Sequence, residues 1–126
     1  MNNCGVIRVS LELDRAGLVW QPVIGDEVVE REDLAHVSIF VDPQGLTPIQ
    51  LRGFFLWLPS VEQLVEEFEA RQFQLYHLGM SGADNYDVVL KSHRIVIESS
   101  ALSLREALGR ALQNLLINYG QLGYVH

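Results

Sequence analysis

Four histidines, one cysteine and a run of carboxylates are the groups in this sequence that could do chemistry. His36, His77, His93 and His126 are never spaced i, i+4, and none stands in an HExxH pattern, so no zinc-hydrolase signature is present. His77 and Asp87 are expected on one face of a sheet. A carboxylate beside an imidazole can orient it for base catalysis or for metal binding, with His36 as a third group. The plainer account is a half-exposed histidine next to an acid, and it is preferred because structural ion pairs perturb such groups too. His93 is expected in a tight turn, and His126 is the last residue.

Other patterns are weaker. The stretch GMSGAD, residues 79–84, has the outline of a nucleophile elbow around Ser81. An elbow needs a strand, the serine and then a helix; here another strand follows, so Ser81 and Gly82 are read as a hairpin loop. The acidic stretch GDEVVERED holds Asp26, Glu27, Glu30, Glu32 and Asp33. It lacks the alternating ligands and central glycine of a calcium loop, and it is read as a solvated connection. Cys4 has Arg8 as its nearest cation and no histidine close in sequence, which is a poor setting for a nucleophile. No glycine-rich phosphate loop occurs. The residues assign no cofactor, no metal and no small molecule.

Nine Lys and Arg against sixteen Asp and Glu give a net charge of −7. That balance disfavours nucleic acid and anionic lipid as partners. No apolar stretch approaches the ~20 residues needed to span a bilayer. The N-terminal MNNCGVIRV lacks a basic segment leading into an apolar one, so no signal peptide is expected. A single cysteine excludes an internal disulfide, and a cytoplasmic location is expected.

These groups need elements to position them. Val6–Leu13 alternates, with Ile7, Val9, Leu11 and Leu13 on one face, and is read as a half-buried strand. LVWQPVI, from Leu18, is read as a second strand limited to an edge by Pro22. AHVSIFVD is a third. TPIQ and SVEQ are capping boxes that start helices at Pro48 and Val61. FQLYHLGM, YDVVLK and RIVIES form a meander with two short loops. One face carries Tyr76, Leu78, Met80, Tyr86, Val88, Leu90, Ile95 and Ile97; the other carries Leu75, His77, Asp87, Val89, Val96 and Glu98. In this register Lys91 pairs with Arg94. SLRE starts a last helix whose apolar stripe runs from Leu104 to Leu115.

The expected fold is α+β: an antiparallel sheet of N-terminal strands plus a three-stranded meander, with two main amphipathic helices on one face. One domain over residues 1–126 is expected. It comprises strands in 1–45, a short helix and apolar run in 47–58, and an α-β-β-β-α unit in 60–119. That order resembles a double-stranded-RNA-binding domain. From Ser60 to Tyr119, however, acids outnumber bases, and SLREAL has no lysine cluster to grip phosphate. The same half resembles small phage-type α/β sandwich domains through its closing helix SLREALGRAL. The likeness covers under half the chain and carries over no site residue.

The run FFLWL, Phe54 to Leu58, has no polar alternation. Core is the first reading, and a docking patch the second, since Phe55 and Trp57 are residue types that anchor interfaces. With the mixed outer face of the meander, this gives an expected interaction surface of Phe54, Phe55, Trp57, Leu75, Val89 and Val96. The expected function is a non-catalytic protein-interaction or regulatory module that self-associates. The alternatives are a small enzyme or metal-binding protein using His77, Asp87 and His36, and an acidic nucleic-acid mimic that blocks a basic protein.

Overall fold

The computed structural model describes residues 4–119. They form four helices and two three-stranded antiparallel sheets, an α+β fold. The chain divides between Pro59 and Ser60 into two compact units.

The first unit holds α1 (Cys4–Arg15), β1 (Glu27–Glu30), β2 (Asp33–Ile39), α2 (Pro48–Phe54) and β3 (Phe55–Trp57), with sheet order β2-β1-β3. Val6–Leu13 is therefore helix, not strand. Val6, Val9 and Leu13 also satisfy the i, i+3, i+7 spacing of a helix stripe, and Ser10, which a strand would turn outward, is buried beside them. LVWQPVI forms no strand either. It is an irregular segment that buries Leu18 and Trp20. Arg52 holds it by donating from Nε to the Trp20 carbonyl at 2.6 Å.

GDEVVERED, read as a solvated connection, instead supplies the central strand. Val28 and Val29 point to opposite faces and both are buried, because β1 is paired on each side. Val28 joins Trp20, Phe40 and Leu51, with Phe55 and Trp57 packed against that cluster. Val29 joins Leu56 and Leu58, against which Val6, Ile7 and Leu11 of α1 pack. The Phe55–Trp57 strand thus contributes to both clusters, while Phe54 at the end of α2 is exposed.

The second unit holds α3 (Val61–Ala70), β4 (Gln74–Met80), β5 (Tyr86–Lys91), β6 (Val96–Ala101) and α4 (Leu104–Tyr119), with sheet order β4-β5-β6. The helix starts follow local chemistry. Thr47 with Gln50 and Ser60 with Gln63 form full capping boxes. The Ser103 hydroxyl accepts the Glu106 N–H and donates to its carboxylate. Helix α3 ends in a Schellman turn. Phe73 N–H donates to the Phe68 carbonyl and Gln72 N–H to the Glu69 carbonyl, Gln72 takes φ 67°, and the Phe68 and Phe73 rings meet edge-on.

Met80 pairs with Tyr86 and Leu78 with Val88, as the loop length dictates. The second turn is longer than expected: Ser92 N–H donates to the Ile95 carbonyl, and Lys91 pairs with Val96 rather than Arg94. The register moves by two residues. A two-residue shift preserves the faces, so Leu90 still lies beside an inward isoleucine, now Ile97. A bulge between Leu75 and His77 makes a further change. Leu75 pairs with Leu90 on the helix side, and the Tyr76 ring lies under Lys91 Nζ, 3.5 Å from the ring centre.

Helix α4 packs on β5 and β6, and α3 packs mainly on α4. The inward residues Val88, Leu90, Ile97 and Ala101 are buried, as are Ala107, Leu108, Ala111, Leu112 and Leu115 of α4. Among the described residues, the helices leave most of β4 exposed.

Candidate functional site

Two features of the second unit carry polar or apolar groups toward solvent: the sheet face away from the helices, and strand β4.

On the outer face, antiparallel pairing puts His77 opposite Val89 and Gly79 opposite Asp87. The His77 ring lies over Gly79, close enough that a Cβ built there would stand 2.8 Å from Nε2. Asp87 Oδ1 accepts from Ser100 Oγ at 2.6 Å and from Asn85 Nδ2 at 3.0 Å, and Asn85 also donates to Ser81 Oγ. The Ser100 hydroxyl, then that of Ser81, holds the Asp87 carboxyl below its ordinary value; the charge of His77 acts in the same direction more weakly. Asp87 is thus engaged as an acceptor by hydroxyls and an amide. Ser81 sits in the loop and its N–H donates to the Asn85 carbonyl, a hairpin closure rather than an elbow. A general base needs its proton partner within hydrogen-bond reach, and the Asp87 network is instead one that ties a loop to two strands.

The remaining chemistry-bearing residues stand apart. His36 lies on β2 in the first unit, 2.8 Å from Asp33, and both are exposed. That hydrogen bond, then the Ala35 N–H, holds the Asp33 carboxyl below its ordinary value. His93 is exposed in the β5–β6 loop, and His126 lies outside the described residues. Cys4 is exposed at the start of α1. Of the acidic stretch, Asp26 is buried and accepts the Trp20 indole N–H at 2.8 Å. Among the described residues no three His, Cys, Asp or Glu side chains are grouped so as to hold a metal ion.

The residues expected at an interaction surface also divide. Phe55 and Trp57 pack against the first unit's core. Phe54 is exposed on the same unit. Leu75 lies on the helix side of β4 and is exposed; Val96 is exposed and Val89 half-buried on the outer face.

Sequence reasoning missed the exposure of β4. Tyr76, Leu78 and Met80 are 67%, 47% and 55% exposed, and Leu75 is open as well. One signal was present: residues 72–83, QFQLYHLGMSGA, contain no Asp, Glu, Lys or Arg. Edge strands are ordinarily protected by charges or proline. A cavity of about 200 Å³ in the first unit is lined by Arg31, Arg52, Asp14 and Trp57. Its guanidinium groups are committed to Asp14, Gln21 and the Trp20 and Arg52 carbonyls.

Among the described residues no helix is long and apolar enough to cross a membrane. No protein-family model, curated protein or solved structure matches the chain.

Proposed function

We propose that this protein is a non-catalytic interaction module that self-associates, in a cytoplasmic setting consistent with its one cysteine. The observation that supports the reading is the exposed apolar strand: Leu75, Tyr76, Leu78 and Met80 stand open on β4, with Val96 on the opposite edge strand. Contiguous apolar surface of this kind marks contact sites in soluble proteins. The polar groups point the same way, since Asp87 is held by loop and strand partners and the histidines are dispersed.

Native mass by light scattering on a sizing column, at low and high salt, tests the reading. A dimer that persists at high salt is expected, because apolar and backbone contacts are little screened. A monomer across the accessible concentration range overturns it.

A further inference from the structure

Among the described residues the sheet order β4-β5-β6 leaves β4 with one side unpaired. Two turns determine which backbone groups face that side. Ser81 N–H donates to the Asn85 carbonyl, and Ser92 N–H to the Ile95 carbonyl. In an antiparallel ladder, bonded pairs alternate with non-bonded ones. Counting from Ser81, Gly79 and His77 bond to Asp87 and Val89. Counting from Ser92, Leu90 and Val88 bond to β6, which leaves Asp87 and Val89 facing β4. The two counts agree. The N–H and C=O groups of Leu78 and Met80 therefore point away from β5, at the open edge.

Charge selects the occupant of that edge. The chain carries −7, so two copies repel unless they meet through a segment free of carboxylates. Of the outer strands, β2 carries Asp33, β6 carries Glu98, and β3 is a three-residue strand whose central Leu56 is buried. Strand β4 carries no Asp, Glu, Lys or Arg, and neither does the loop as far as Ala83; its one titratable imidazole, His77, lies on the outer face, opposite Val89. A basic partner would find no carboxylate on this strand to pair with. The strand is also complementary to itself. Leu78 and Met80 flank Gly79, both offer outward backbone groups, and both side chains lie on the helix side.

We propose that a second copy of this chain pairs with β4 in antiparallel register about a two-fold axis at Gly79. This rests on the self-association reading and deepens it. Leu78 faces Met80 of the partner subunit, and Met80 faces Leu78 of the partner subunit. Four N–H···O bonds form, and the sheet continues across six strands. The two Gly79 residues meet as a non-bonded pair, the spacing at which strands approach most closely. The four apolar side chains cluster on the helix side of the sheet, over the β4 strands where Leu78 and Met80 are exposed. Such a two-fold contact closes on itself, since each copy uses its β4 edge once.

Amide hydrogen exchange and light scattering on wild type, Met80→Pro and Leu78→Lys test the pairing. In concentrated wild type the Leu78 and Met80 amides are protected, and dilution to monomer releases them. Proline at 80 removes an outward N–H, which an edge strand tolerates, together with the Met80 side chain. By symmetry it deletes two bonds, which alone weaken the dimer about thirtyfold, and the lost Met80 contacts weaken it further. Lysine at 78 adds like charges at the contact and yields monomer, with circular dichroism unchanged in both variants. A wild-type dimer whose Leu78 and Met80 amides exchange freely, or that survives Leu78→Lys, places the second copy elsewhere; the edge inference then fails while the self-association reading stands. A wild-type monomer at every concentration overturns both.

Discussion

Trp20 Nε1 donates to Asp26 Oδ2 at 2.8 Å with both residues buried, whereas Trp57 Nε1, in the same aromatic cluster, is buried without an acceptor among the described residues. The two indoles therefore respond differently to loss of the N–H. Trp20→Phe takes a donor from a buried carboxylate, and Trp57→Phe removes a donor that has nothing to bond. Urea unfolding is expected to show Trp20→Phe as the costlier change by about 1–3 kcal/mol. Equal costs would mean that ring volume alone governs both sites.

The apolar run separates into core and surface within a few residues. Leu56 is 2% exposed and Phe54 59%. Leu56→Ala is expected to cost about 2–5 kcal/mol in cavity and transfer terms. Phe54→Ala is expected to stay within about 0.5 kcal/mol. Similar losses at both positions would show that Phe54 is covered in solution.

Asp87 gives a signed acid response. Its carboxyl is held below the ordinary value of 3.8 by Ser100 first, so its stabilising contribution is full above that value and is lost as pH falls through the lower folded value. Carboxyl carbon titration by NMR is expected to place the Asp87 midpoint below 3.8, and Ser100→Ala to move it up toward 3.8. A midpoint unchanged by Ser100→Ala would contradict the assignment of cause.

Gln72 occupies a left-handed position at the end of α3, with φ 67°. A side chain carries a steric cost there that glycine lacks. Gln72→Gly is expected to raise stability by about 0.5 kcal/mol or more, while Gln72→Ala leaves it near wild type. Thermal melts compare the two directly, and a gain from alanine would point to the glutamine amide instead.

The second unit was the more legible from sequence because its signals are local. Ser60 with Gln63 and the five-residue loop before Tyr86 each act within a few positions, and register then follows. The first unit was decided by distant contacts. Ile7, Val9, Leu11 and Leu13 fit a strand while Val6, Val9 and Leu13 fit a helix, and the helix is favoured by what it packs against, Leu56 and Leu58 far along the chain. Val28 and Val29 are two apolar residues among acids, and only pairing on both sides makes them a core strand. The bulge at Tyr76 moved Leu75 to the helix side. Periodicity says nothing about how far a helix layer extends, so the bareness of β4 was legible only in the composition of residues 72–83 and not in their pattern.

The pairing of β1 with β3 orders events during synthesis. The hairpin from Glu27 to Ile39 leaves the ribosome with Val28 and Val29 made but one flank of β1 vacant, because its partner is Phe55–Trp57. Ribosomes add about 5–20 residues per second, so that flank waits on the order of a second or more. Within the first unit the helix from Cys4 to Arg15 is made before the sheet, yet β3, the strand it packs on, is that unit's last element. The first unit therefore cannot be complete until the FLW strand, which contributes to both apolar clusters, has been made.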